Sequence, residues 1–211
     1  MNNIKIIINY NVILFAFVDA MSVWSEFCQT SIPYYFDNNF GFTEEDNKYL
    51  DEYAKLRKQF SWSRQSDLMY WASLNFPKPD EFEPLIKYFK YFEKRVNRQD
   101  ESLKSIIIRK VKNIESLQID KAINDFLAKE STIKVLLRLD SIFDIKNQND
   151  EKITIFVTPS MGNSRQGGAN GWALHVEVSE QDHNIENSEF LLVFIHEFLH
   201  YRYNINELFN E

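Results

Sequence analysis

The sequence predicts an α+β fold in which a mostly helical layer precedes a small β-sheet, and the sheet packs on one buried helix at about residues 188–203. Three observations predict it. Through most of the first 150 residues, apolar side chains recur at helical spacing, as in Tyr49, Leu50, Tyr53, Leu56 and Phe60. Strand-like alternation of apolar and polar residues is strong only at 153–158 and 172–178. Phe190 to Ile195 is then an unbroken apolar run, continued by Phe198 and Leu199, which describes a helix buried on most of its circumference. Residues 1–150 are therefore expected to form a helical region with a short N-terminal strand, and 151–211 a β-hairpin plus the buried helix.

The chain has 211 residues, of which 44% are hydrophobic, enough for one sizeable core with a helical lobe attached. Its 18 Phe, 10 Tyr and 4 Trp argue against disorder. A formal net charge of −7 gives no electrostatic footprint for nucleic acid. The single cysteine, Cys28, can form no internal disulfide and has no Cys neighbour for a thiolate metal site. It reads as a small apolar residue.

Ile4–Ile8 is expected as a strand, Asn9–Asn11 as a turn, and Val12 to about Phe27 as a helix. The same residues can be read as a secretory signal with cleavage after Val18-Asp19-Ala20. The polar Asn9, Tyr10 and Asn11 interrupt its apolar centre, and the strand-and-helix reading is preferred. The compartment stays open: cytoplasmic on the preferred reading, secreted if residues 1–20 are a signal. The apolar stretch is too short for a membrane span.

Ile32 to Gly41, rich in Asn, Asp, Pro and Gly, reads as a loop. Thr43-Glu44-Glu45-Asp46 supplies an N-cap hydroxyl and a first turn of acids for the next helix. A helical piece from Asp67 to Phe76 stops at Pro77, and Asp80-Glu81-Phe82-Glu83 opens another, with Phe82, Leu85, Ile86, Phe89, Phe92 and Val96 inward as packed core. Leu103 to Ile114, Ile119 to Leu127 and Ile133 to Ile142 mark three more helices, and 147–152 is a polar connector. The strands at 153–158 and 171–179 are expected to be antiparallel. The connection between them holds Gly162, Gly167, Gly168 and Gly171, but lacks the Lys-Ser/Thr ending of a phosphate-binding loop. His175 reads as a polar residue on the wet face of its strand, with a place in a cleft as the alternative, and His183 as a surface residue.

The chemistry is concentrated in His196-Glu197-Phe198-Leu199-His200. Histidines four apart on a helix project from one face about a turn apart, so both imidazoles can reach one ion. Glu197 lies about 100° further round and can take the proton of a water activated by that ion. This is the His-Glu-x-x-His pattern of zinc metallopeptidases, with His196 and His200 as metal ligands, Glu197 as general base and Zn2+ as the cofactor. A metzincin would need Gly at 203 and His at 206, where this sequence has Tyr203 and Asn206. The gluzincin pattern remains, in which a later Glu is the third ligand. Only Glu207 and Glu211 follow as carboxylates, and on a continued helix Glu207 would sit about 10 Å too far along the axis. Glu207 could ligate only if the chain bends back near Asn204 to Asn206, so the third ligand is expected to be missing, with Glu207, Glu211, His175 or a residue of a longer chain as the alternatives. The sequence is then that of the N-terminal part of a longer zincin-like protein or of a shortened relative.

Residues 196–208, His-Glu-Phe-Leu-His-Tyr-Arg-Tyr-Asn-Ile-Asn-Glu-Leu, resemble the corresponding stretch of an uncharacterised bacterial gluzincin-like family, known mainly as a domain of unknown function. Residues 11–18, Asn-Val-Ile-Leu-Phe-Ala-Phe-Val, look like that family's opening strand-to-helix segment. The resemblance implies a zincin-like fold and a zinc-dependent peptidase, with His196 and His200 holding the metal and Glu197 as base. A peptide or protein substrate would lie extended against an edge strand, expected at Gly171 to Ser179. The alternative is a binding or interaction module that keeps the helix for its fold and lacks the third ligand.

Overall fold

The computed structural model describes residues 4–25, 28, 31–60, 64–74, 82–96, 103–143, 153–160, 167–170, 172–179 and 189–203. In chain order these form β1 (Ile4–Ile7), α1 (Tyr10–Met21), α2 (Ser31–Phe40), α3 (Glu44–Arg57), α4 (Gln65–Ser73), α5 (Glu83–Val96), α6 (Leu103–Glu115), α7 (Ile119–Ala128), α8 (Glu130–Ile142), β2 (Ile153–Pro159), β3 (Gly167–Asn170), β4 (Ala173–Val178) and α9 (Glu189–Tyr203). The fold is α+β and mostly helical, with one four-stranded sheet in the order β1-β2-β4-β3. Among the described residues no helix is long and apolar enough to cross a membrane.

The sheet separates two apolar cores. Phe156 and Ala173 on one face join α1 to α6 through Val12, Phe15, Phe36, Tyr53, Phe89 and Ile107. Ile155, Val157, Leu174, Val176 and Val178 on the other face pack with Ile123, Leu136, Phe190, Phe194 and Phe198 of α7, α8 and α9. Covered on both sides, β2 is buried at every residue. That setting favours the parallel pairing seen here. β2 runs parallel to both β1 (Ile4↔Ile153) and β4 (Thr154↔Ala173), whereas the expectation was an antiparallel β2–β4 pair. The chain turns back once more than expected: β3 runs antiparallel to β4 (Gly167↔Val176), so β4 returns in the direction of β2 and lies between β2 and β3. The edge strand on that side is therefore β3 and not the 171–179 strand.

Helix α1 is apolar nearly all round because it is the centre of the first core, with nine of its residues from Val12 to Met21 buried. Asn9 caps it, its Oδ1 accepting from the Val12 amide at 2.9 Å. It ends at Met21, earlier than the expected Phe27. The Ser22 hydroxyl donates to the Asp19 carbonyl at 2.7 Å, and Val23 takes a left-handed φ of 48°. Residues Ile32 to Gly41, read as a loop, are largely helical in α2. Ile32 and Phe36, one turn apart, are buried, Pro33 sits in the first turn where its missing N–H costs nothing, and Gly41 ends the segment at φ +67°. The cap on α3 is a full capping box, with Asp46 N to Thr43 Oγ1 at 3.1 Å and Thr43 N to Asp46 Oδ2 at 2.8 Å. The α5 stripe is packed core as expected, with Phe82, Leu85, Phe89 and Phe92 buried. The expected Pro77 stop, the cap at Asp80-Glu81 and the helix-capping residues before Glu189 lie outside the described residues.

A buried polar network holds α1, α3 and α4 together. Arg57 Nε and the Tyr53 hydroxyl both donate to Asp19 Oδ1 at 2.8 Å, and Arg57 also bonds the Phe60 carbonyl at 3.1 Å and the Gln65 side chain. The guanidinium lies 3.9 Å from the Trp24 ring centroid. Helix α4 is tied to the sheet by the Trp172 indole N–H, which donates to Asp67 Oδ1 at 2.8 Å.

Candidate metal centre

Helix α9 is fixed at both ends of the candidate site. Phe190, Leu191, Phe194 and Phe198 sink into the second core. Beyond the histidines, Arg202 makes a two-pronged pair with Asp140 of α8, Nε to Oδ1 at 2.9 Å and Nη2 to Oδ2 at 2.7 Å. The Tyr203 hydroxyl adds 2.8 Å to Asp140 Oδ1 and 3.2 Å to the Leu136 carbonyl. Asp140 is held below its ordinary pKa, first by the Arg202 hydrogen bonds.

On this helix His196 and His200 come together as their spacing predicts, with the two Nε2 atoms 3.0 Å apart. Two nitrogens on a tetrahedral zinc, each at about 2.0–2.1 Å, stand about 3.3 Å apart, so the pair is close to the span of one ion. Without a cation, one Nε2 must carry the proton and the other accept it. Burial, and then the neighbouring His196, push His200 below the ordinary imidazole pKa. The Nδ1 of His200 is buried and has no hydrogen-bond partner among the described residues, where a zinc-site histidine ordinarily gives this N–H to a carbonyl or carboxylate. His196 is exposed. The spacing of the donor pair thus fits a metal, and no supporting partner of His200 is in view among the described residues.

Glu197 is only 9% exposed, and burial raises its pKa against the opposing effects of His196 and of the Ala169 amide N–H that donates to it. It lies under β3, the strand Gly-Gly-Ala-Asn. A Cβ on Gly167 would stand 2.5 Å from Glu197 Cγ and 2.8 Å from Val193 Cγ1, so only glycine leaves room there. Gly167 and Ala169 are contacts that the sequence reading missed. The signal was the glycine cluster, which had been weighed only as a phosphate loop. On the other flank of the histidine stripe, an apolar cleft of about 210 Å3 opens between α9 and α7–α8, lined by Phe126, Leu127, Val135, Leu136, Ile195 and Leu199.

No family model, curated protein or solved structure matches this chain. The reading of the site therefore rests on its own geometry.

His175 is not part of it. Leu174 and Val176 face α9, so His175 points to the opposite side of the sheet, beside Phe156, where its Nε2 and Thr158 Oγ1 lie 2.7 Å apart. It is not placed as a third ligand, and it is half-buried on the face of the sheet that looks toward the first core. Burial pushes its pKa down to about 4, and the neighbouring charged group on the same face is the buried Glu177. The folded state therefore holds the neutral ring, and stability should fall as pH drops from about 6.5 through 4, by no more than about 3 kcal/mol from this half-buried group. Comparing pH-dependent urea midpoints of wild type and His175→Gln checks this; equal slopes over that range would contradict it. Glu207, Glu211 and His183 lie outside the described residues, and among the described residues no group of three His, Cys, Asp or Glu side chains could hold a metal.

Proposed function

We propose that the chain is a zinc-dependent, metallopeptidase-like hydrolase of zincin type, acting on a peptide or protein. The observation that carries the reading is the convergence of His196 and His200 Nε2 at 3.0 Å with the buried Glu197 carboxyl on the next residue. His196 and His200 would hold the metal. Its chemistry there would be Lewis acidity, which brings the pKa of water toward about 7. Glu197 accepts the proton of the attacking water and returns it to the leaving amine; its burial, which raises its proton affinity, suits both transfers. β3, at the sheet edge, offers an extended peptide a strand to pair with next to this carboxyl. A catalytic zinc site takes three protein ligands, so the reading requires one more, with Glu207 and Glu211 as the candidates of this sequence.

Zinc per chain, measured by elemental analysis after dialysis, should be near one in wild type and near zero in His196→Ala and His200→Ala. A wild-type value near zero would remove the hydrolase reading for this chain. A second reading, a binding module, is favoured by the apolar cleft beside the histidines, which is lined in part by the exposed Val135. A protein without bound zinc would leave that reading standing.

A further inference from the structure

We propose that β3 is the positioning element for Glu197: the bare Cα of Gly167 admits the side chain beneath the strand, and the Ala169 amide N–H holds the carboxylate. β3 is an edge strand, so part of its backbone donors have no strand to pair with, and Glu197 takes one of them. The side chain is then held at both ends, by α9 at its backbone and by β3 at its carboxylate. A methyl group at 167 would meet Glu197 Cγ at 2.5 Å and Val193 Cγ1 at 2.8 Å, both on α9, and would move either the strand or the carboxylate. Neither α9 nor its His-Glu-x-x-His pattern sets the direction of Glu197 alone. The small residues of a strand about thirty positions earlier in the sequence complete it.

The fit of Gly167 against Glu197 and Val193 stands on geometry, whereas its catalytic consequence rests on the hydrolase reading, and the experiment separates the two. Amide exchange at Ala169, followed by NMR, should accelerate about tenfold in Glu197→Ala, the factor that one hydrogen bond of ordinary net strength provides. The Ala169 amide proton should move upfield in the same variant. Gly167→Ala should lower the melting temperature of wild type but not that of the Val193→Ala/Glu197→Ala double variant, in which the crowding atoms are gone. On a cleaved peptide, Gly167→Ala should lower kcat with zinc content unchanged, beside any effect on KM from the pairing of substrate with β3. Unchanged exchange at Ala169, or an equal cost of Gly167→Ala in both backgrounds, overturns the proposal. A change confined to KM, with kcat at the wild-type value, also overturns it, because Gly167 would then matter to substrate pairing alone. If wild type cleaves nothing while the exchange and stability results hold, the positioning contact stands and the hydrolase reading falls.

Discussion

Replacing Glu197 by Gln should lower kcat for peptide cleavage by about 10²- to 10⁴-fold, the usual worth of a general base, while zinc per chain stays at the wild-type level. Gln has the length and shape of Glu, so it still fits under Gly167 and can still accept from the Ala169 amide through its carbonyl oxygen. It carries no charge, and burial already works against the charge of Glu197. The variant should therefore be at least as stable as wild type, and lost cleavage cannot be put down to misfolding. His196 and His200 are untouched, which is why metal content is the internal control. Single-turnover cleavage with parallel zinc analysis and a melting curve decides the matter. Wild-type rates in Glu197→Gln would remove the general-base role.

Truncating Arg57 to Ala should cost about 3–5 kcal/mol of folding stability, because it strands a buried carboxylate. Arg57 has no exposed surface, and the Asp19 side chain has 7%. With the guanidinium gone, Asp19 keeps the Tyr53 hydroxyl, while Gln65 and the Phe60 carbonyl lose a donor and Trp24 loses the cation on its ring. Asp19 sits on α1, the helix at the centre of the first core, so the strain falls where most of the helical layer meets. Removing both charges together, as Arg57→Met with Asp19→Leu, should recover much of the loss, since an apolar pair of similar size leaves nothing ionised inside. Urea midpoints of the single and double variants measure this. A single-variant cost below about 1 kcal/mol would mean that water reaches Asp19.

What the sequence made legible is what short-range rules govern. The Thr43 N-cap, the Phe82-to-Phe92 stripe and the spacing of His196 and His200 are each set by residues within a few turns of one another. α2 was missed because its composition is that of a loop, and only the burial of Ile32 and Phe36, a tertiary fact, outweighs it. The parallel pairing was missed because alternation along 153–158 says that a strand exists and nothing of its neighbours; β1 comes from the other end of the chain. The face occupied by His175 follows from that pairing, so it was out of reach as well. The triad of α9 was readable as a pattern. Its support by Gly167 and Ala169 needed the fold, since it depends on which strand lies at the sheet edge.

The pairing of Ile4 with Ile153 also sets an order of assembly. β1 leaves the ribosome before α1 to α8 and its partner β2 after them, so it must wait, unpaired, through their synthesis. Helices that meet neighbours close in sequence, such as α7 with α8, can form meanwhile, whereas joining β1 to β2 closes a very long loop and is slow. The sheet, and with it the strand that holds Glu197, is therefore completed after the helices that meet near neighbours in sequence.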